Sequence, residues 1–104
     1  MNRFGYIVAA LMVALDVGVL PAGAADISKG GQVYAMHCVS CHGRSGVNVM
    51  PGAPNLARGD GMMQPDMGLL ALIRTGKNAM PGYAGILKDA EILDVIAYLR
   101  TLRQ

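Results

Sequence analysis

Cys38-Val39-Ser40-Cys41-His42 decides how this chain is read. Two thiols three positions apart on one turn can reach two vinyl groups along one edge of a haem, and the next residue then turns its imidazole toward the iron. That chemistry needs Cys, Cys and His in this order, with Val39 and Ser40 as spacers. Other uses of the same residues fit less well. A disulfide between Cys38 and Cys41 would close too short a loop to constrain the unfolded chain. A thioredoxin-like redox pair would follow a buried strand in a βαβ unit, and no stretch of this sequence alternates with period two over a useful length. Structural zinc needs four Cys or His ligands, and beyond these three only His37 is at hand. The motif therefore predicts one covalently held haem, attached at Cys38 and Cys41 and ligated by His42.

Upstream of the motif, Arg3 precedes an apolar run from Phe4 to Leu15, and Pro21-Ala22-Gly23-Ala24 follows. These are the parts of a secretory signal peptide. Asp16 cuts the apolar run to about 12 residues, short of the ~20 that a spanning helix needs, so cleavage after Ala24 is expected, with no membrane insertion afterwards. Residues 1–24 are assigned to the signal peptide and 25–104 to one domain, which leaves 80 of the 104 residues. At that size a polypeptide core is barely sufficient, and the 80 residues contain three aromatic rings, Tyr34, Tyr83 and Tyr98. A large flat apolar cofactor would supply the missing buried surface, so folding should depend on it. Export through a signal peptide points to the periplasm.

The rest of the domain reads as helices joined by Gly/Pro loops, an all-α chain. A first helix runs from about Ile27 to His37, with Ser28 as a candidate N-cap and Gly30 where another backbone can come close. From Gly43 to Gly61 the composition turns to Gly, Pro, Asn and Arg, an irregular loop long enough to need a reason such as wrapping a cofactor edge. A second helix follows from about Pro65 to Thr75, with Gly76 as a left-handed stop. A third starts at Asp89 as its cap, with Ile92, Val95, Ile96, Leu99 and Leu102 at helical spacing. Asp89 and Glu91 at its start and Arg100 and Arg103 at its end suit the helix dipole. The eight basic and six acidic residues of the domain form no basic run with interleaved aromatics, which excludes nucleic acid as an expected partner.

With these residues in hand, the domain resembles the class I cytochromes c. Lys29-Gly30-Gly31-Gln32-Val33-Tyr34 is similar to the family's leading helix and Ile96-Ala97-Tyr98-Leu99 to its closing one. The resemblance implies that the two cross near a glycine and an aromatic pair, here Gly30 and Tyr34 against Tyr98. Pro54-Asn55-Leu56 is similar to the family's Gly-Pro-Asn-Leu, whose proline carbonyl accepts the second N–H of the haem histidine; Ala53 stands where the family usually has Gly. Such a bond fixes ring orientation and raises ligand basicity.

The same resemblance bears on the sixth iron ligand. The domain has six methionines, Met36, Met50, Met62, Met63, Met67 and Met80, and most are expected to fill gaps in the core. Gly76-Lys77-Asn78-Ala79-Met80-Pro81 looks like the family's ligand loop, which implies Met80 as the axial partner of His42. Met50-Pro51 repeats the dipeptide only eight residues after His42, too near to pass round the haem edge. Met62, Met63 and Met67 could form a soft Cu(I) site, but packing and loop exposure are the simpler expectation. His37 is expected on the surface, Arg58 resembles an arginine that meets a haem propionate, and Asn78 or Tyr83 is placed to bond the Met80 sulfur or a propionate.

Taken together, these readings imply a monomeric electron carrier rather than an enzyme: one haem c, His/Met-ligated, exchanging electrons in the periplasm with a respiratory partner. The family serves nitrite reductases, terminal oxidases and quinoprotein alcohol dehydrogenases, and the Met80 loop with the last helix leans toward a denitrification-type partner. Peroxide reduction or ligand binding is disfavoured, since no general acid or base stands in the Met80 loop. A redox sensor or complex-bound haem carrier would show the same residues as a shuttle.

Overall fold

The computed structural model describes residues 13–14 and 24–104; the signal-peptide assignment falls almost wholly outside them. Among the described residues the architecture is all-α, as expected of the class I cytochrome c fold: α1 (Ile27–His37), α2 (Val39–His42), α3 (Asp66–Thr75) and α4 (Asp89–Thr101). No helix among them is long and apolar enough to cross a membrane.

Helix α1 runs from Ile27 as expected, but its cap lies two residues before the candidate. The cap is Asp26, not Ser28: its carboxylate accepts the Lys29 backbone N–H at 3.0 Å, satisfying one of the donors a helix start leaves open. Asp26 also donates its own backbone N–H to the Asp94 carboxylate at 2.7 Å, which ties the start of α1 to α4. Helix α4 likewise has Lys88, not Asp89, as its N-cap residue. There the Glu91 carboxylate accepts the Lys88 backbone N–H at 3.0 Å. On α4, Ile92, Val95, Ile96 and Leu99 are buried, the stripe its periodicity predicts, and Leu102 is the half-buried C-cap.

α1 and α4 cross at Gly30. An added Cβ there would collide with the Asp94 carbonyl oxygen and lie 3.0 Å from Tyr98 Cβ, so only a hydrogen lets the two backbones lie so close. Beside the crossing, the Tyr34 and Tyr98 rings pack with centroids 5.2 Å apart and planes tilted 47°. This is the contact the family resemblance implied. Helix α3 lays Leu69, Leu70 and Ile73 into the same core.

Two loop features depart from the sequence reading. The Gly43–Gly61 segment is not wholly irregular, because Leu56–Arg58 forms a 3₁₀ turn whose start is capped by the Asn55 side chain accepting Arg58 N–H at 3.1 Å. Gly76 has φ +78° and ψ 170°, an extended conformation reserved for glycine, not the left-handed helical stop. It sends the chain straight into a strap from Lys77 to Tyr83, closed on itself where Lys77 and Met80 exchange backbone hydrogen bonds of 3.1 and 2.9 Å.

The crossing yields a test whose sign is informative. In a free helix Gly→Ala stabilises by about 1 kcal/mol, whereas forcing a side chain into a closed interface costs about 1–3 kcal/mol. Here the obstacle is backbone, so Gly30→Ala should lower the Tm of the ferric holoprotein, by roughly 4–8 °C per kcal/mol lost. A raised Tm would show that α1 and α4 lie farther apart.

Candidate functional site

Between α1, α3, α4 and the strap lies an open space of about 560 Å³, within the ~300–1,000 Å³ typical of cofactor pockets. Its lining brings together Cys38, Cys41, His42 and Met80, four residues spread over 43 positions of sequence. Local geometry explains how each arrives. After His37 the chain breaks at Cys38 and restarts as the short α2, in which His42 N–H bonds the Cys38 carbonyl at 2.9 Å. Cys38 and Cys41 are both free and partly buried. Before a thioether forms, burial, with a smaller contribution from Cys41, pushes the Cys38 thiol up to about 11.

His42 is oriented by the following loop. Its Nδ1 lies 3.3 Å from the Pro54 carbonyl oxygen; with Nδ1 donating to that oxygen, Nε2 is left as the ring's acceptor. Ala53 in place of the family's glycine does no harm here. The turn is Met50-Pro51-Gly52-Ala53, closed by Ala53 N–H on the Met50 carbonyl at 3.1 Å, and the positive φ of +85° falls on Gly52, as in a type II turn. Gly43, at the end of α2, has φ +78°, and its carbonyl accepts the buried Tyr34 hydroxyl at 2.5 Å. Burial raises the Tyr34 phenol to about 12, so it remains a donor throughout the physiological range.

The walls are apolar and water-excluding: Leu69, Leu72, Ile73, Val95 and Leu99 face the space from α3 and α4. An apolar cavity carrying two thiols, an oriented imidazole and a thioether suits a flat haem held at one edge and ligated axially, and the residues present fit that group.

The comparisons agree. The family described as cytochrome c oxidase, cbb3-type, subunit III matches residues 25–99. Cytochrome c6 of Thermostichus vulcanus is 38% identical over 97 residues, covering 88% of this chain and 85% of that one. The chain belongs to the class I cytochrome c family. Cytochrome c6 of Nostoc sp. is 37% identical over 83 residues, covering 76% of this cytochrome and 73% of its relative. Among solved structures, cytochrome c6 from the diatom Phaeodactylum tricornutum superposes with a TM-score of 0.63 at 30% identity, over 73% of this chain and 92% of the other. The KustC0563 c-type cytochrome, at 22% identity and a TM-score of 0.66 over 72% of this chain and 98% of its own, shares the fold. This cytochrome accordingly carries one covalent haem c and transfers electrons through it.

Several sequence expectations about the surroundings of the site need correction. Met36, Met63 and Met67 are exposed, at 77%, 85% and 66%, and Met50 is exposed too; among the described residues Met62 is the one methionine buried in the core, so most of the domain's methionines do not fill it. Met50 and Met62 nevertheless line the cavity beside Met80. His37 is half-buried and lines the same space, its ring edge-on to Tyr83 at 5.5 Å. Arg58 does not reach the lining; it pairs with Asp60 at 2.6 Å while 72% exposed. The pair holds the Asp60 carboxyl below its usual range, chiefly through the Arg58 hydrogen bond. Tyr83 does not bond the Met80 sulfur: its hydroxyl donates to the His37 carbonyl at 3.1 Å.

The contrast between a buried and an exposed partner sets a second test. Tyr34→Phe leaves the buried Gly43 carbonyl with only the long 3.4 Å bond from Gly46 N–H, which costs about 1–3 kcal/mol, while Arg58→Ala removes an exposed ion pair worth at most about 1 kcal/mol. Denaturant titration of the two holoproteins should rank them in that order. The reverse ranking would show that the Tyr34 hydroxyl finds water instead.

Proposed function

We propose that this cytochrome is an exported, monomeric electron shuttle in which Cys38 and Cys41 hold the haem through thioethers and His42 and Met80 ligate its iron. The observation that carries the reading is the convergence of these four side chains on one apolar cavity. When bound, the haem supplies a reversible one-electron change at iron. Everything else is done by the chain. Pro54 orients the His42 ring and raises its basicity as a ligand, and the strap presents Met80, whose thioether favours the ferrous state and raises the potential. With His42 and Met80 both holding the iron, no ligand position would be left for oxygen or peroxide, and the protein would act as a carrier rather than an enzyme.

Residues 1–24 direct the chain to the periplasm and are removed after Ala24. There it exchanges electrons with a respiratory partner such as a nitrite reductase, an oxidase or a dehydrogenase. The family description naming an oxidase subunit supports the oxidase among these. Mass spectrometry of the exported protein should give an N-terminus at Ala25 and a mass increased by one haem that survives acid–acetone extraction. Extractable haem, or a retained leader, contradicts the corresponding part of the proposal.

The ligand assignment is tested by asymmetry between the two Met-Pro pairs, both of which line the cavity. Met80→Ala should abolish the far-red sulfur-to-iron band of the oxidised protein, open the iron to carbon monoxide or cyanide, and lower the potential. Met50→Ala, at a site 38% exposed, should keep the band and lose about 1 kcal/mol or less in packing. Loss of the band in the Met50 variant alone would reverse the assignment.

A further inference from the structure

We propose that Tyr83 is a positioning residue: its hydroxyl clamps the strap carrying Met80 to the end of α1, directly before the haem-attachment turn, and so governs how easily an outside ligand displaces the Met80 thioether. The inference rests on Met80 being the distal ligand.

The clamp has two fixed ends. On one, Tyr83 N–H bonds the Ile73 carbonyl at 2.9 Å and Ala84 N–H bonds the Arg74 carbonyl at 3.1 Å, so the strap leaves Met80 and returns at once onto the end of α3. The fit is close enough to need glycine at 82, where an added Cβ would lie 2.7 Å from both the Arg74 and Thr75 carbonyl oxygens. On the other end, the Tyr83 hydroxyl crosses 46 positions of sequence to the His37 carbonyl at 3.1 Å.

That carbonyl lies where the helix breaks. In an unbroken helix the His37 carbonyl would accept the N–H of Cys41, four residues on. Here Cys41 N–H bonds the Cys38 carbonyl instead, at 3.3 Å, and the Tyr83 hydroxyl supplies a donor in its place. The ring itself is buried, 9% exposed, and meets the His37 imidazole edge-on. Among the described residues this is the one side-chain hydrogen bond joining the strap (77–83) to the segment 37–42. A strap that lost it would remain attached to α3 but be free to swing away from the turn that bears Cys38 and His42, taking Met80 with it.

The test is imidazole binding to the ferric holoprotein, with the far-red band as the signature of sulfur ligation. Tyr83→Phe keeps the ring and removes the donor. It should keep the haem and the band, yet bind imidazole roughly two- to tenfold more tightly, the range expected from one lost hydrogen bond. Tyr98→Phe, which removes a hydroxyl from the α1/α4 crossing instead, should bind imidazole as the wild type does. Unchanged imidazole affinity in Tyr83→Phe overturns the proposal. So does an increase in both variants in proportion to their losses of Tm, since that would be a general effect of stability. If Tyr83→Phe yields too little holoprotein, Gly82→Ala loosens the same clamp from its α3 end and should also tighten imidazole binding; an unchanged affinity there overturns the proposal equally. A wild-type protein without the far-red band would instead refute the Met80 assignment.

Discussion

Because Gly30 carries no side chain, the backbone of α4 at Asp94 can rest on α1, and this contact draws the two ends of the domain together around what lies between them. Asp26 reinforces it by donating its backbone N–H to the Asp94 carboxylate, and the Tyr34 and Tyr98 rings by packing together at a tilt of 47°. From the same place Tyr34 reaches the Gly43 carbonyl. The helix crossing thereby fixes the end of α2, and with it the direction in which His42 leaves the chain. A close backbone contact of this kind is rigid because no rotamer can relax it.

What the crossing does not do is close the interior. Helices α1, α3 and α4 pack into one core, and the segments strung between them complete the lining of the cavity. Their backbones are held by polar contacts rather than by burial. Arg100, which a helix-dipole argument places only at the end of α4, bonds the Met62 and Gln64 carbonyls, each at 3.0 Å, and the Asp66 carboxylate at 2.7 Å. It thus secures the stretch that leads into α3. The chain end does the same for the 3₁₀ turn, where Gln104 N–H bonds the Ala57 carbonyl at 2.9 Å. No buried side-chain polar atom among the described residues lacks a partner. Unpaired polar groups beside so small a core would cost more than it could supply.

The cytochrome c family shares this arrangement at low sequence identity, 30% for the diatom structure and 22% for the more distant one. In this chain the arrangement rests on a glycine at the crossing, the helix break at Cys38 and a glycine at 82 that lets the strap lie against α3.

Sequence by itself determined what short-range chemistry encodes. Cys38-Val39-Ser40-Cys41-His42 specified the cofactor because two thiols and an imidazole at fixed spacing have few other uses. The spacing of Ile92, Val95, Ile96 and Leu99 specified the buried face of α4. Caps were legible only to within one or two residues, because Asp26 and Ser28, or Lys88 and Asp89, differ in which N–H the folded backbone presents. Tertiary structure decided which methionines are buried and which exposed, that Arg58 turns to Asp60, that His37 sits in the cavity wall, and that Tyr83 reaches back to it across 46 positions. The long contacts among these join segments that no local pattern relates. They exist because the glycine crossing and the strap bring otherwise ordinary residues within hydrogen-bonding distance.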